Sequence, residues 1–308
     1  MQSANTVFVV RPARFGFNAE TASSNSFQQL VSGLGMEDLQ SQVAAEFDGA
    51  VLTLRSKGVQ VLVFEDTPEP PKPDAVFPNN WVTLHADGTA LFYPMCAHNR
   101  RPERRSDIVA ALGAQFHIRQ VHDVSAYETQ GRFLEGTGSI IFDHEHRIAY
   151  ACLSVRTDAE LLLQVTARLG FQAVTFHAED THGQAIYHTN VMMCIGTRFA
   201  VICLESIPDA QERATVTASL ASTGHELVAI TLAQAACFAG NMLTLQPAGD
   251  GPELLALSQR AYDALTPQQC AILARYCELV PLAIPTIETI GGGSVRCMLA
   301  EVFLPRKN

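Results

Sequence analysis

A strand–hairpin–strand–helix–strand pattern recurs about five times along the 308-residue chain and limits the fold more than any other feature of the sequence. The third and fourth rounds are the clearest. In the third, Ser139–Phe142, the turn Asp143–His146 and Arg147–Cys152 lead to a predicted helix over Asp158–Leu169 and a strand over Gln172–Phe176. In the fourth, Asn190–Ile195, the turn Gly196–Thr197 and Phe199–Leu204 lead to a helix over Asp209–Thr223 and a strand over His225–Ile230. The second round runs through Trp81–His85, Ala90–Tyr93, a helix from Arg101 to Leu112 and a strand near Phe116–Arg119. The fifth has Met242–Gln246, a helix from Glu253 to Leu265 or beyond, and a final strand Val295–Phe303. The first is split: a strand Val7–Arg11, a helix Glu37–Lys57 with apolar residues at Leu39, Val43, Phe47, Val51 and Leu54, and a strand Val59–Phe64. A unit this small cannot bury its own apolar face, so the units must share a core. Regular repetition favours ring closure, as in a propeller. The hairpin in each unit argues against an open doubly wound sheet, whose crossovers carry none. The Pro-rich stretch Thr67–Pro73 is too short to separate domains, so one α/β domain over 1–308 is expected.

Composition matters for partners and compartment. Hydrophobic residues at 47% and charged residues at 17% predict a folded chain with a large core. The net charge of −10 gives no reason to expect nucleic acid or an anionic membrane. The one basic cluster, Arg100, Arg101, Arg104 and Arg105, is interleaved with Glu103 and Asp107 and reads as a solvated helix start. No basic-then-apolar leader precedes Val7, and no apolar run approaches the roughly 20 residues of a membrane helix. Eight cysteines are scattered without CxxC spacing, which suits reduced thiols and a cytoplasmic location.

Cys297 follows Gly291-Gly292-Gly293, whose lack of side chains permits close backbone approach. Taken alone, a cysteine entering a buried strand is more often core than nucleophile. None of the other seven has comparable surroundings. His188, in Tyr187-His188-Thr189-Asn190, stands at the mouth of an apolar strand, where a base and a capping histidine are equally reasonable. Glu135, in Phe133-Leu134-Glu135-Gly136-Thr137-Gly138, is oddly placed for a solvated carboxylate. Gly136 and Gly138 do not make a phosphate loop, because no helix N-terminus is expected after them. His144 and His146, with Asp143 and Glu145, read as a solvated hairpin turn in preference to a metal cluster. Arg11, Asn18 and Asn241 stand near strand ends and are secondary candidates.

In order, Glu-Gly-x-Gly, His-x-Asn and Gly-Gly-Gly-x-x-x-Cys resemble the motifs of the guanidino-group-modifying enzymes, the pentein superfamily of deiminases, dimethylarginine hydrolases and amidinotransferases. The resemblance spans nearly the whole chain and implies a five-bladed α/β-propeller. Phe77-Pro78-Asn79-Asn80-Trp81, His188–Met193 and Gly291–Met298 look most like the citrulline-utilisation hydrolases. The resemblance implies Cys297 as nucleophile, His188 as acid/base and Glu135 as an orienting carboxylate. It also implies that Arg156, in Ser154-Val155-Arg156-Thr157, holds the substrate carboxylate, with Asn80 and Asn190 at the substrate; Asn79 and Asn18 are further substrate-binding candidates.

Deiminases carry aspartates where this chain has Asn80 and Asn190. A buried guanidinium wants anionic partners, whereas a neutral ureido group wants one donor and one acceptor, which a carboxamide supplies. The expected reaction is therefore hydrolysis of citrulline to ornithine, carbon dioxide and ammonia, with no metal or organic cofactor. An arginine-type or dimethylarginine hydrolase, or an amidinotransferase, are the alternatives. The expected partner is a small-molecule amino acid, and association as a homodimer is left open. A neutral substrate lends no charge to the thiol, so a preformed Cys297 thiolate, titrating below a free thiol, is expected.

Overall fold

The computed structural model describes residues 1–31, 33, 35–249 and 251–307. Strands β1 (Thr6–Arg11) and β2 (Gln60–Glu65) run parallel, joined by the helix Met36–Ser56. A second sheet holds β3 (Val82–Leu84), β4 (Thr89–Phe92) and β5 (Gln120–Asp123), and a third holds β6 (Ile141–Asp143), β7 (Ile148–Cys152) and β8 (Gln172–Phe176). The fourth comprises β9 (Met193–Ile195), β10 (Phe199–Ile202) and β11 (Glu226–Ala229), and the fifth β12 (Leu243–Leu245), β13 (Leu254–Ser258) and β14 (Glu278–Leu282). Finally β15 (Ala300–Glu301) returns to the first sheet and pairs antiparallel with β1.

Each blade repeats one plan. A short first strand pairs antiparallel with the middle strand, and a helical crossover brings the outer strand parallel to it, as with Ile141↔Tyr150 and Ile148↔Gln172. In the first blade the C-terminal β15 takes the place of the first strand, which is why that unit is split in the sequence. Strand β3 lies against β15, β6 against β9, and β9 against β12. A bridge Ala4↔Leu245 links the fifth blade to the first, and Leu84↔Val302 links the first to the second. The Gln2 amide donates to the carbonyls of Phe142 and Ile195, tying blades three and four together. The chain is a five-bladed α/β-propeller. Among the described residues no helix is long and apolar enough to cross a membrane.

Several local expectations are overturned. The run Glu253–Leu265 begins as β13, buried along its whole length between β12 and β14; helices Gln259–Ala264 and Pro267–Leu273 follow. A short apolar run reads equally well as buried helix or buried strand, and the neighbouring strands decide. The expected helix Arg101–Leu112 is broken after Pro102 into a 3-10 turn, His98–Glu103, and a helix Ser106–Leu112. The outer strand of that blade is Gln120–Asp123, while Phe116 bridges to Arg306. Val295–Met298 is a turn of helix, not strand. Gly136–Ser139 is likewise one helical turn, so the stretch after Glu135 does start a short helix.

Candidate active site

The five first strands start at one end of the ring, and the residues just before them converge there. Asn80 precedes β3, Glu135 and the Gly136–Ser139 turn precede β6, His188 and Asn190 precede β9, Asn241 precedes β12, and Cys297 precedes β15. Short segments before the strands of a rigid ring can thus bring distant sequence positions from five blades together. At the centre, the Asn190 Nδ2 donates to Cys297 Sγ at 3.4 Å and the Asn241 Nδ2 donates to it at 3.3 Å. Asn241 is itself fixed: its Oδ1 accepts from the Arg296 N–H at 3.0 Å, and its Nδ2 donates to the Asn190 carbonyl at 2.9 Å. Gly292 carries the approach to Cys297 through a left-handed turn (φ +62°), where a side chain would meet Gln28 and Asn25.

His188 lies 2.8 Å from Glu135, Nε2 to Oε2. A carboxylate only accepts, so Nε2 carries the proton and Nδ1 is the free base. A Cβ on Gly138 would sit 2.7 Å from His188 Nδ1 and 2.4 Å from Asn80 Nδ2, so this glycine is what lets ring and amide meet. Glu135 is wholly buried. Its Oε1 accepts the Cys96 N–H at 2.9 Å, and Arg156 and Arg100 lie 3.6 and 4.0 Å from Oε2. Burial opposes ionisation of Glu135, but Arg156, the bond from His188 and Arg100 outweigh it and hold the carboxyl well below its usual range. Burial pushes His188 down to about 4 against the pull of Glu135. The pair is therefore a carboxylate and a neutral imidazole.

Two charged residues of this network escaped the sequence reading. Arg100, expected at a solvated helix start, is buried and pairs with Glu103 at 2.9 Å and Asp74 at 3.5 Å. Asp74 is buried and binds the Asn18 amide at 2.7 Å, so Asn18 belongs to the rim of the network, where it also caps the helix Ala19–Ala22. Asn79 is buried and bonded to Thr137, behind Asn80. Arg11 is elsewhere, paired with Asp48 at the surface. Asn241 carried a readable signal, since it stands two residues before β12 as Asn80 stands two before β3.

The site is closed. Cys297 is 5% exposed and His188 2%, under the segment 18–29. Arg156 holds that segment, donating to the Thr21 carbonyl and the Ser24 hydroxyl, and Asn25 donates to the Gly292 carbonyl. Burial, the largest influence, raises the Cys297 pKa; the Ser294 backbone, Asn241, Arg296 and Asn190 offset only part of it. That direction favours the thiol and runs against the expected thiolate. A raised pKa means less thiolate at neutral pH. Alkylation of Cys297, followed by mass spectrometry, should therefore climb with pH to a midpoint above the free-thiol value of about 8.5. A midpoint below that would restore the preformed ion pair.

The sequence profile described as N,N-dimethylarginine dimethylhydrolase, eukaryotic, matches residues 11–304. No curated protein matches the chain. Among solved structures, ArgZ without ligand, an arginine dihydrolase from the ornithine-ammonia cycle in cyanobacteria, superposes with a TM-score of 0.74 at 13% identity over 96% of this chain. The chain spans only 40% of that protein, but 99% of the ArgZ N-terminal domain in its product complex, at 15% identity and a TM-score of 0.74. A dimethylarginine dimethylaminohydrolase variant, in an adduct with S-methyl-L-thiocitrulline, matches with a TM-score of 0.65 at 16% identity over 99% of this chain and all of its own. At such identities the structural likeness is one of fold, and the profile carries the family. Together with the propeller, it makes the chain a member of the N,N-dimethylarginine dimethylhydrolase family of the pentein superfamily, hydrolases of non-peptide C–N bonds.

Proposed function

We propose that this member hydrolyses the ureido C–N bond of citrulline, or of a close N-carbamoyl amine, in a single catalytic domain over 1–308. One observation carries the reading. The sulfur is held by two carboxamides, Asn190 and Asn241, with Asn80 close to His188 across Gly138, and among the described residues Asn80 Nδ2 and Asn190 Oδ1 have no hydrogen-bond partner. One is a donor and the other an acceptor, the complement of a urea's C=O and N–H. Glu135, the carboxylate nearest the base, is already shared by His188, Arg156 and Arg100. A guanidinium would meet the neutral amides Asn80 and Asn190 where a deiminase offers carboxylates, at a cost of several kcal/mol.

In this mechanism His188 Nδ1 takes the Cys297 proton as sulfur attacks the ureido carbon, and Glu135 stabilises the imidazolium that forms. The Asn190 and Asn241 amide N–H groups stabilise the developing thiolate. The tetrahedral intermediate collapses as His188 returns the proton to the departing amine, leaving an S-carbamoyl enzyme. Water, deprotonated by His188, releases it, and carbamate decays to carbon dioxide and ammonia. This order holds if the nitrogen bearing the ornithine chain faces His188; if the terminal nitrogen does, ammonia leaves first and the N-substituted carbamate decays to carbon dioxide and ornithine. Arg156 takes the substrate carboxylate in place of Thr21 and Ser24, so binding requires segment 18–29 to lift.

The family profile favours a second reading, hydrolysis of a guanidino substrate such as dimethylarginine or arginine. Separate incubations with citrulline, arginine and dimethylarginine, with ornithine and citrulline read by chromatography, decide between them. Ornithine is expected from citrulline. Citrulline accumulating from either guanidino compound, with citrulline itself untouched, would overturn the proposal. Asn80→Asp should lower kcat/KM for citrulline by about 100-fold, an ion replacing a neutral amide in a buried site.

A further inference from the structure

At the opposite end of the ring, where the hairpins turn, a second cluster has no part in this chemistry. Asp143 ends β6, His146 lies in the turn to β7, and His225 stands immediately before β11 of the next blade. One donor atom from each lies within 4.8 Å of the others. We propose that these three residues bind one divalent transition metal of the zinc type, clamping blade three to blade four.

Three features support it. Asp143 is 1% exposed, and its only ion-pairing partner within 4 Å among the described residues is His146, 2.9 Å from Oδ2. The turn residues Glu145 and His146 are exposed, as expected from sequence, but Asp143 at its base is not, and a buried carboxylate without Lys or Arg favours a cation beside it. Secondly, His225 is oriented as a ligand. Its Nδ1 is 2.7 Å from Thr223 Oγ1, whose hydroxyl is also placed to donate to the Leu220 carbonyl at 2.9 Å. With the hydroxyl proton on Leu220, His225 Nδ1–H donates to Thr223, and the Nε2 lone pair faces the Gly196 carbonyl 3.1 Å away. In that tautomer Nε2 is free to bind a cation, and an oxygen behind the distal N–H is the usual support of a metal-bound histidine. Without metal, the hydroxyl turns to Nδ1 and Nε2–H serves Gly196. Thirdly, two imidazoles, one carboxylate and the Gly196 carbonyl suit zinc, whereas calcium and magnesium favour all-oxygen sets. A tetrahedral ion with bonds of about 2.1 Å would draw the donors to about 3.4 Å apart. His146, on the exposed turn, can supply that movement.

The test uses the full chain, stripped with a chelator, titrated with zinc by calorimetry and followed by thermal unfolding. The wild type and Cys297→Ala should each bind one zinc per chain and gain in Tm. Thr223→Val should bind about 10- to 100-fold more weakly, and His146→Gln and His225→Gln should lose the site. If His225→Gln does not fold, His146→Gln alone decides, with its citrulline hydrolysis unchanged as the control. Absence of binding to the wild type, or binding abolished by Cys297→Ala and kept by His146→Gln, would overturn the proposal.

Discussion

Cys297→Ala is expected to lower kcat on citrulline by about 10⁴-fold or more while the Tm stays within a degree or two of wild type. The size follows from the nature of the step. Without sulfur no covalent intermediate can form, and removing the nucleophile of a covalent hydrolase commonly costs this much or more. Stability should hold because the thiol's side-chain contacts among the described residues are long, 3.4 Å to Asn190 and 3.3 and 3.7 Å to Asn241, whose amide is otherwise anchored. The checks are a steady-state ornithine assay and a thermal melt on the same preparation. The wild type should also show a carbamoyl mass adduct on the peptide containing Cys297 after rapid quenching, absent from the variant. Equal rates for the two proteins would remove Cys297 from the chemistry and leave its carboxamide surroundings as packing.

That residue shows how far the sequence was legible. The repeat was readable because each blade buries its middle strand on both faces, leaving continuous apolar runs such as Phe199–Ile202. The ring order followed, and with it the idea that residues before the first strands meet. What one segment cannot carry is the fate of a charge. Arg100 reads as solvated among its arginines, and only Asp74, Glu103 and Glu135, from 26 residues before it to 35 after it, make it buried. The thiol shows the same limit. A glycine turn and a neighbouring histidine suggest activation, but burial, which no local pattern encodes, pushes the pKa of Cys297 up. The hairpin turn after Asp143 is solvated as read, but the burial of Asp143 beside His225 was not legible, because His225 comes from the next blade.

Glu135→Gln should have the largest effect on stability, about 3 to 5 kcal/mol, or on the order of 10 °C in Tm. The side chain is wholly buried and accepts from His188 and the Cys96 N–H, with two guanidinium groups within 4.0 Å. The amide keeps the volume and removes the charge. Arg100 retains Glu103 and Asp74, but among the described residues Arg156 has Glu135 as its only carboxylate partner within 4 Å, so an uncompensated guanidinium is left buried. The pH dependence has a definite sign. The folded pKa of Glu135 lies below the unfolded value of about 4.3, so its contribution is present above that pH and is lost as pH falls through the folded pKa. Urea midpoints of wild type and variant should therefore differ most near pH 7 and converge in acid. Catalysis should fall as well, by about 10⁴-fold, the size found when the orienting acid of a serine-protease triad is replaced by its amide. A glutamine can donate to His188 Nε2 and so reverse the tautomer, placing a proton on Nδ1 where the base is needed. Glu135→Asp, which restores charge at a shorter reach, should recover most of the stability and little of the rate. If Glu135→Gln left both Tm and kcat unchanged, the carboxylate would be neither the counter-ion of Arg156 nor the group that sets the His188 tautomer.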